Sequence, residues 1–351
     1  MKADTITKDF LSDTTVFADV FNYYIYNGQQ TILPQQLTER DTTEIVIPYG
    51  IDGAAVPIQK FRDVQNLCTI KTDGILDYIL LGAEAQSDIQ YAMPVKNNLY
   101  DAIDYAAQVE QVTKSHRRAM KEAKKPKQSN NPNKSNEPII RPNSGEFLSG
   151  FWKSDRLIPS LTVTIYFGVD EWDAPLSLFD MMEIKDPRIL SCLDNYHVHL
   201  IAPAHMAYED ILKFQSNLRE VLLFIKYSKD KKKLHKILEQ NQARFREVER
   251  RAVDVIEAIT HMSLEYKESE GKIDMCQAIK EMREESLQEG LLRGRREGKI
   301  EGRQAGLIEG KIEAAKNFYR LGIDIEKIAE GVGSNLETVK SWLGLEAEKQ
   351  P

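Results

Sequence analysis

Long apolar runs, cysteine and excess positive charge are all scarce in this chain of 351 residues. No run of about 18 apolar residues occurs, so we expect no membrane-spanning helix. The three cysteines, Cys68, Cys192 and Cys276, are widely spaced, which is typical of reduced thiols and matches no zinc-binding pattern. The first residues also lack the apolar stretch of a secretory signal. We therefore expect a cytoplasmic protein that does not insert into a membrane.

One stretch of the chain is strongly basic, although the formal net charge of −7 argues against a uniformly basic surface. Between Lys114 and Arg141, nine lysines and arginines stand against two glutamates. Six of these basic residues are candidate DNA contacts: Lys114, Arg117, Arg118, Lys121, Lys124 and Lys125. Residues 126–145 are rich in Ser, Asn and Pro, which predicts a disordered loop. A basic arm beside an acidic metal site would offset phosphate repulsion, and a solvated loop without a ligand is the alternative interpretation.

Two acidic residues next to strand-like runs are candidate metal ligands. Asp63 ends a run that begins at Ala55, and Glu84 lies near the end of an apolar run, Ile75–Gln86. Two carboxylates that face each other across a hairpin can hold a hard cation such as Mg²⁺. Such a cation can activate water and stabilise charge on a phosphodiester. A solvated glutamate at a strand end is the alternative interpretation of Glu84.

Several further segments match one known family, in that family's order and over nearly the whole chain. They are residues 17–22, 62–64, 84–86, 93–95, 100–101, 165–168 and 172–173, followed by a tail of Glu-Gly repeats. On these residues the chain resembles the Rpn family of recombination-promoting nucleases, within the PD-(D/E)XK superfamily. The resemblance implies a metal-dependent DNA endonuclease with a role in recombination, mobile elements or phage defence.

The resemblance also assigns roles to individual residues. It makes Asp63 and Glu84 the ligands of Mg²⁺, with Mn²⁺ or Ca²⁺ as alternatives, and it puts Gln86 where the motif usually has lysine. Gln86 and Glu84 share one face of a strand because side chains alternate. Either Gln86 orients the attacking water, or Lys96 supplies the positive charge, or the enzyme is slow or inactive. In the last case the chain is an oligomeric DNA-binding or regulatory protein that keeps the nuclease fold.

Two accessory positions complete the candidate site. Asp19, on the first helix expected from the sequence, matches an accessory acidic position of the family. Tyr105, in the amphipathic stretch after Lys96, is the second accessory candidate.

The order of helix, hairpin, helix and strand predicts an α/β fold. We expect a restriction-endonuclease-like mixed sheet flanked by helices, with a helical C-terminal extension. The expected domains are a nuclease-like core at 1–225, a helical segment at 226–285, a glycine-repeat helix or linker at 286–315, and a small helix-turn-helix-like module at 316–351. Residues 311–351 carry six basic and seven acidic groups, so a helical packing module is as good an interpretation of this tail as a DNA reader.

Glycine recurs at every fourth position of the C-terminal part. The six glycines are Gly290, Gly294, Gly298, Gly302, Gly306 and Gly310. Together they cost an isolated helix about 5 kcal/mol relative to alanine. Rows of basic and acidic residues accompany them and can pair with the rows of another copy. We therefore expect a homo-oligomer formed through this segment, with a flexible linker as the alternative.

Overall fold

The computed structural model describes residues 3–40, 43–46, 58–61, 63–72, 75–123, 142–184, 186–266, 268–269 and 271–345. The protein is a mixed α/β molecule whose chain divides into two compact units, Met1–Ala278 and Ile279–Pro351. None of the helices described is both long enough and apolar enough to cross a membrane.

Helices precede, interrupt and follow the strands of the first unit. In the part of the chain that the structure describes, they are α1 Ala3–Ser12, α2 Thr14–Tyr26, α3 Met93–Ala123, α4 Ser144–Ser149, α5 Pro187–Leu190, α6 Tyr208–Ile211, α7 Leu218–Tyr227, α8 Lys231–Gln240, α9 Gln242–Phe245 and α10 Arg250–Thr260. The described strands are β1 Leu37–Glu39, β2 Thr43–Val46, β3 Ile58–Phe61, β4 Val64–Thr72, β5 Ile75–Gln86, β6 Ser160–Tyr166, β7 His199–Ile201, β8 Val248–Glu249, β9 Glu268–Ser269 and β10 Lys272–Ile273.

A five-stranded mixed sheet forms the centre of the first unit, in the order β1-β4-β5-β6-β7. Strands β1, β4 and β5 are antiparallel neighbours, whereas β5, β6 and β7 run parallel. The β4–β5 hairpin pairs Val64 with Ala83 at one end and Thr72 with Ile75 at the other. The long helix α3 lies in the crossover between β5 and β6, as a parallel connection requires.

Helices cover both faces of this sheet. On one face, Asn97 of α3 donates a hydrogen bond to Thr164 of β6. The neighbouring residue Val163 points to the opposite face, as does His199, its partner on β7. His199 is hydrogen-bonded to Tyr24 of α2 at 2.9 Å. Helix α10 packs against α1 and α7 and adds a further layer of helix to the first unit.

Polar residues determine two local features of the first unit. Strand β4 buries Gln65 and Asn66, and these polar residues hide the alternation that normally reveals a strand. The lysine run near residue 230 separates α7, which ends at Tyr227, from α8, which begins at Lys231. There Asp230 accepts hydrogen bonds from the backbone N–H groups of Lys232 and Lys233, which caps the helix.

The second unit is helical. Its elements are α11 Met275–Arg320, which starts at the end of the first unit, α12 Ile325–Val332 and α13 Leu336–Leu343. Helix α11 has 46 residues and runs without a break through all six repeat glycines. Its last turns form a small apolar core with α12 and α13, made of Ala315, Ile328, Ala329, Val332 and Val339. The turn between α12 and α13 contains Gly333 at φ 58°, a conformation that favours glycine.

Candidate active site

Asp63 and Glu84 lie at the same end of the β4–β5 hairpin. Val64, the first residue of β4, pairs with Ala83. Asp63 directly precedes Val64 and Glu84 directly follows Ala83, so both carboxylates adjoin the last register pair at this end of the hairpin. The backbone N–H of Ala85 donates a hydrogen bond of 3.0 Å to Asp63 Oδ2, which ties this carboxylate to β5. The two carboxylates that the sequence suggested as metal ligands therefore lie at the same end of the hairpin.

Glu84 forms a buried ion pair with Lys96. The Glu84 side chain is 1% exposed, and its Oε2 atom lies 2.8 Å from Lys96 Nζ. Lys96 belongs to the first turn of α3, and its ammonium also lies 5.6 Å from the centre of the Tyr100 ring. A carboxylate this deeply buried requires a partner of opposite charge. Lys96 of α3 supplies that charge.

The electrostatic surroundings of Asp63 combine burial with two cations. Burial raises the pKa of Asp63, and this rise is only partly offset by the charge of Lys96, the hydrogen bond from Ala85 and the charge of Lys8. The negative charge of Asp4 adds to the rise. A carboxylate whose ionised form is disfavoured by burial gains from any cation that comes close to it.

Gln86 lies at the edge of this group, two positions after Glu84 and on the same face of β5. Its side-chain Nε2 donates to the backbone oxygen of Ala85 at 2.9 Å. Its backbone oxygen accepts a hydrogen bond of 2.8 Å from the N–H of Phe167, just after β6. The amide side chain is therefore hydrogen-bonded to its own strand.

Helix α3 is held on the sheet by a row of buried polar contacts that continues from the Lys96 end. Along the helix, Asn97 donates to Thr164 at 2.9 Å, Asp101 accepts from Thr162 at 2.6 Å, and Asp104 accepts from Ser160 at 2.5 Å and from Gln65 at 3.0 Å. Tyr105, the second accessory candidate, accepts a hydrogen bond of 3.1 Å from the backbone of Ser160. Thr164 is the β6 partner of Glu84. The row therefore fixes the helix turn that carries Lys96.

Asp19 makes a different kind of contact. It is 2% exposed, and its Oδ2 atom accepts three hydrogen bonds, from the backbone of Gln215 at 2.8 Å and from the backbone and hydroxyl of Ser216 at 2.7 Å each. Burial raises the pKa of Asp19, and the hydrogen bonds from Ser216 and Gln215 only partly offset this rise. These contacts join α2 to the turn before α7, and none of them involves Asp63, Glu84 or Lys96.

The basic candidates of α3 lie far along the helix from Lys96. Lys114, Arg117, Arg118 and Lys121 are all exposed, and Lys114 pairs with Glu110 at 2.6 Å. With a rise of about 1.5 Å per residue, they lie about 27 to 38 Å beyond Lys96 along the helix axis. Lys124 and Lys125 lie outside the described residues. The same is true of the expected loop at 126–145 up to position 141. The basic residues are thus on the same helix as Lys96 but not beside the carboxylates.

The contribution of α1 to this site was not expected from the sequence. Ser87, directly after β5, donates a hydrogen bond of 2.5 Å from its hydroxyl to Asp4 Oδ1. Lys8, one turn further along α1, is close enough to influence the pKa of Asp63. The helical spacing of the buried residues Thr7, Phe10 and Leu11 was the signal that could have revealed this helix.

Asp63 and Glu84 are the donors available for a metal ion at this site. Carboxylate oxygens from two neighbouring strands suit a hard divalent cation in donor type, and water and phosphate oxygens commonly complete the shell of Mg²⁺. Within the described ranges, no group of three or more His, Cys, Asp or Glu side chains is arranged to hold a metal ion. Two protein carboxylates would leave the other coordination positions of such an ion to water or phosphate oxygens.

Comparisons of this chain with protein-family models, with curated proteins and with solved structures found no match.

Proposed function

We propose that this protein is a metal-dependent DNA endonuclease related to the Rpn family, with a restriction-endonuclease-like core. The observation that carries the proposal is the position of Asp63 and Glu84 at the same end of the β4–β5 hairpin, with Lys96 Nζ 2.8 Å from Glu84 Oε2. Phosphodiester hydrolysis needs carboxylates that can hold a cation and a positive charge near the reacting phosphate. The hairpin β4–β5, followed by α3 and the parallel strand β6, supports a core of this type.

The roles of the side chains follow from their positions. Asp63 and Glu84 would hold Mg²⁺, with Mn²⁺ or Ca²⁺ as alternatives, and the ion would supply Lewis-acid activation of water and phosphate. Lys96 neutralises Glu84 and would turn its ammonium towards the negative charge that develops on the phosphate. Gln86, on the same face as Glu84, would orient the attacking water through its amide.

The exposed basic residues of α3 support DNA as the substrate. They lie about 27 to 38 Å from Lys96, which corresponds to about 8 to 11 base pairs at 3.4 Å per base pair. A duplex that lies along α3 would reach both the carboxylates and the positive charges of Lys114, Arg117, Arg118 and Lys121. These contacts would position the duplex without reading its sequence.

One observation favours the alternative of a catalytically inactive DNA-binding or regulatory protein that keeps the fold. Glutamine replaces the motif's lysine at position 86, and its amide is bonded to the backbone of its own strand at 2.9 Å. An amide held in this way has less freedom to orient water.

Self-association through α11 is part of the proposal. Every residue from 287 to 310 is exposed, and in the described part of this chain nothing except adjacent residues and the backbone of the same helix lies within 4 Å of the Cβ position at any of the six repeat glycines. Close approach of a second copy to this surface would bury its exposed leucines and isoleucines and match its charges. We also propose a cytoplasmic location, for which the three unpaired cysteines are the support.

Plasmid cleavage by the purified full chain tests the enzyme function. We expect nicked or linear DNA with Mg²⁺ and intact DNA with EDTA. Intact plasmid with Mg²⁺ and with Mn²⁺ would reject the nuclease, and retained DNA binding in that case would favour the inactive alternative. The variant Glu84→Gln, which keeps the shape of the side chain, controls for a contaminating nuclease.

A further inference from the structure

The first turn of α1 is fixed beside the end of β5 that carries Glu84 and Gln86. Helix α1 packs against β4 and β5. Ser87, three residues after Glu84, donates its hydroxyl hydrogen bond to Asp4 Oδ1 at 2.5 Å. This bond attaches the start of the helix at the place where the polypeptide leaves the strand.

Lys8 follows Asp4 by four positions, so the two side chains lie on the same side of α1. Lys8 is half-buried, and within the described part of the chain its ammonium makes neither an ion pair nor a hydrogen bond. Lys96 differs, because its ammonium is already paired with Glu84 at 2.8 Å. Lys8 is therefore a cation on the helix that packs against β4 and β5, and its hydrogen-bonding capacity is not used by the residues that the structure describes.

We propose that Lys8 binds a backbone phosphate of the DNA strand that enters the site, so that α1 forms part of the substrate-binding surface. This inference rests on the proposed nuclease function and names a residue that contacts the substrate. A phosphate that approaches this end of the sheet is repelled by the carboxylate of Asp63, and a cation on the helix attached at the end of β5 offsets that repulsion. An ammonium donates its hydrogen bonds in several directions and suits a phosphate as a point charge.

A salt titration separates a phosphate contact from a purely internal role. The full chain and its Lys8→Gln variant are mixed with a short DNA duplex in EDTA, and the binding constant is measured at several salt concentrations. Each phosphate contact that is lost lowers the slope of log K against log salt by about 0.9. We expect this decrease in Lys8→Gln, together with a several-fold weaker binding at low salt, and we expect Lys8→Arg to restore most of the slope.

The matched control is Lys232→Gln. Lys232 is an exposed lysine of α8, a helix that packs on α7 and α9 rather than on β4 or β5. Its replacement removes the same charge from the protein and should leave the slope unchanged. A similar decrease of the slope in both variants would mean that the slope follows the net charge of the protein. This result would overturn the assignment of Lys8.

The outcomes distinguish this inference from the proposed function. If the parent protein binds DNA and cleaves plasmid while Lys8→Gln keeps its slope, Lys8 makes no phosphate contact and only the inference fails. If the parent protein neither binds nor cleaves DNA, both proposals fail together. Thermal unfolding of each variant checks that α1 remains folded, and Lys8→Met carries the same test if the glutamine variant unfolds.

Discussion

The ammonium group of Lys96 lies 2.8 Å from a carboxylate oxygen of Glu84, whose side chain is 1% exposed. The two residues come from different elements, α3 and β5, and the pair joins the helix to the sheet beside Asp63. A divalent cation that binds Glu84 must share this carboxylate with the lysine. We therefore expect metal binding and the position of Lys96 to be coupled.

Asp63→Asn and Glu84→Gln should each abolish Mg²⁺-dependent plasmid cleavage. Both changes keep the size of the side chain and remove the charge that a hard cation needs. Glu239→Gln, at an exposed carboxylate that pairs with His235 on α8, is the matched control and should cleave normally. Undiminished cleavage by either site variant would remove that residue from the list of metal ligands.

Lys96→Met should lower the free energy of unfolding as well as the cleavage rate. Breaking a fully buried ion pair costs about 3–5 kcal/mol because a charge stays buried without its partner. Lys96 is 28% exposed, so we expect a smaller loss, on the order of 2 kcal/mol. Urea unfolding measures the loss, and plasmid cleavage should slow more than DNA binding weakens.

A double variant separates stability from activity at this pair. Lys96→Met combined with Glu84→Gln removes both charges, so the stability should return towards that of the parent protein while cleavage stays absent. If the double variant is no more stable than Lys96→Met alone, the two side chains are not energetically coupled.

The pH dependence of stability should reveal the burial of Asp63. Its pKa in the folded protein is raised above the ordinary value of 3.8, so the folded state holds the proton to higher pH than the unfolded state does. The ionised carboxylate thus weakens the fold as pH rises through the folded-state pKa, and this penalty is fully present at neutral pH. Asp63→Asn should therefore unfold at a higher temperature than the parent at pH 7. The difference should shrink as pH falls towards 4, and a variant that is less stable at pH 7 would contradict this.

Asp19→Ala should destabilise the protein by about 2 kcal/mol, because it deprives the turn before α7 of its hydrogen-bond acceptor. The three hydrogen bonds from Gln215 and Ser216 all end on Asp19 Oδ2. Urea unfolding measures the effect, with Asp9→Ala in the exposed part of α1 as the control. A variant with unchanged stability but no cleavage would instead assign Asp19 an accessory role in the reaction.

The sequence predicted the local features of the candidate site better than the long-range ones. Glu84, Gln86 and the helix that carries Lys96 lie in continuous periodic segments, and their positions follow from the rules for strands and helices. Asp63 was expected at the end of a strand but directly precedes β4, because buried polar residues conceal that strand. Its proximity to Glu84 depends on hairpin register, which a single strand pattern does not define.

The contribution of α1 was not predictable for a related reason. The helix is short, and the residues that reach the site, Asp4 and Lys8, are ordinary charged side chains in the sequence. Only the packing of α1 against β4 and β5 gives them a location. The same holds for Lys96, because its ion pair joins elements that are separated by the turn after β5.

Replacing Gly294, Gly298 and Gly302 by alanine should stabilise α11 and weaken self-association at the same time. In the described part of the chain, nothing except adjacent residues and the backbone of the same helix lies within 4 Å of the Cβ position at these glycines, so alanine fits there without a clash. Each replacement favours the helix by about 1 kcal/mol. The added methyl groups would hold apart two helices that approach along the glycines, because only small residues allow close backbone contact.

Circular dichroism and light scattering measure the two effects on the full chain. Helix content should rise or remain constant while the mass in solution falls, whereas the control Gln304→Ala, at an exposed position of the same helix, should keep the mass of the parent.

Truncation before Gly290 should also lower the mass and leave the first unit folded, since its sheet and core lie within Met1–Ala278. If the alanine variant keeps its mass but the truncated protein loses it, the contact uses the apolar and charged residues of α11 rather than its glycines. If both proteins keep the mass of the parent, this helix does not mediate an oligomer, and the glycine repeat needs a different explanation.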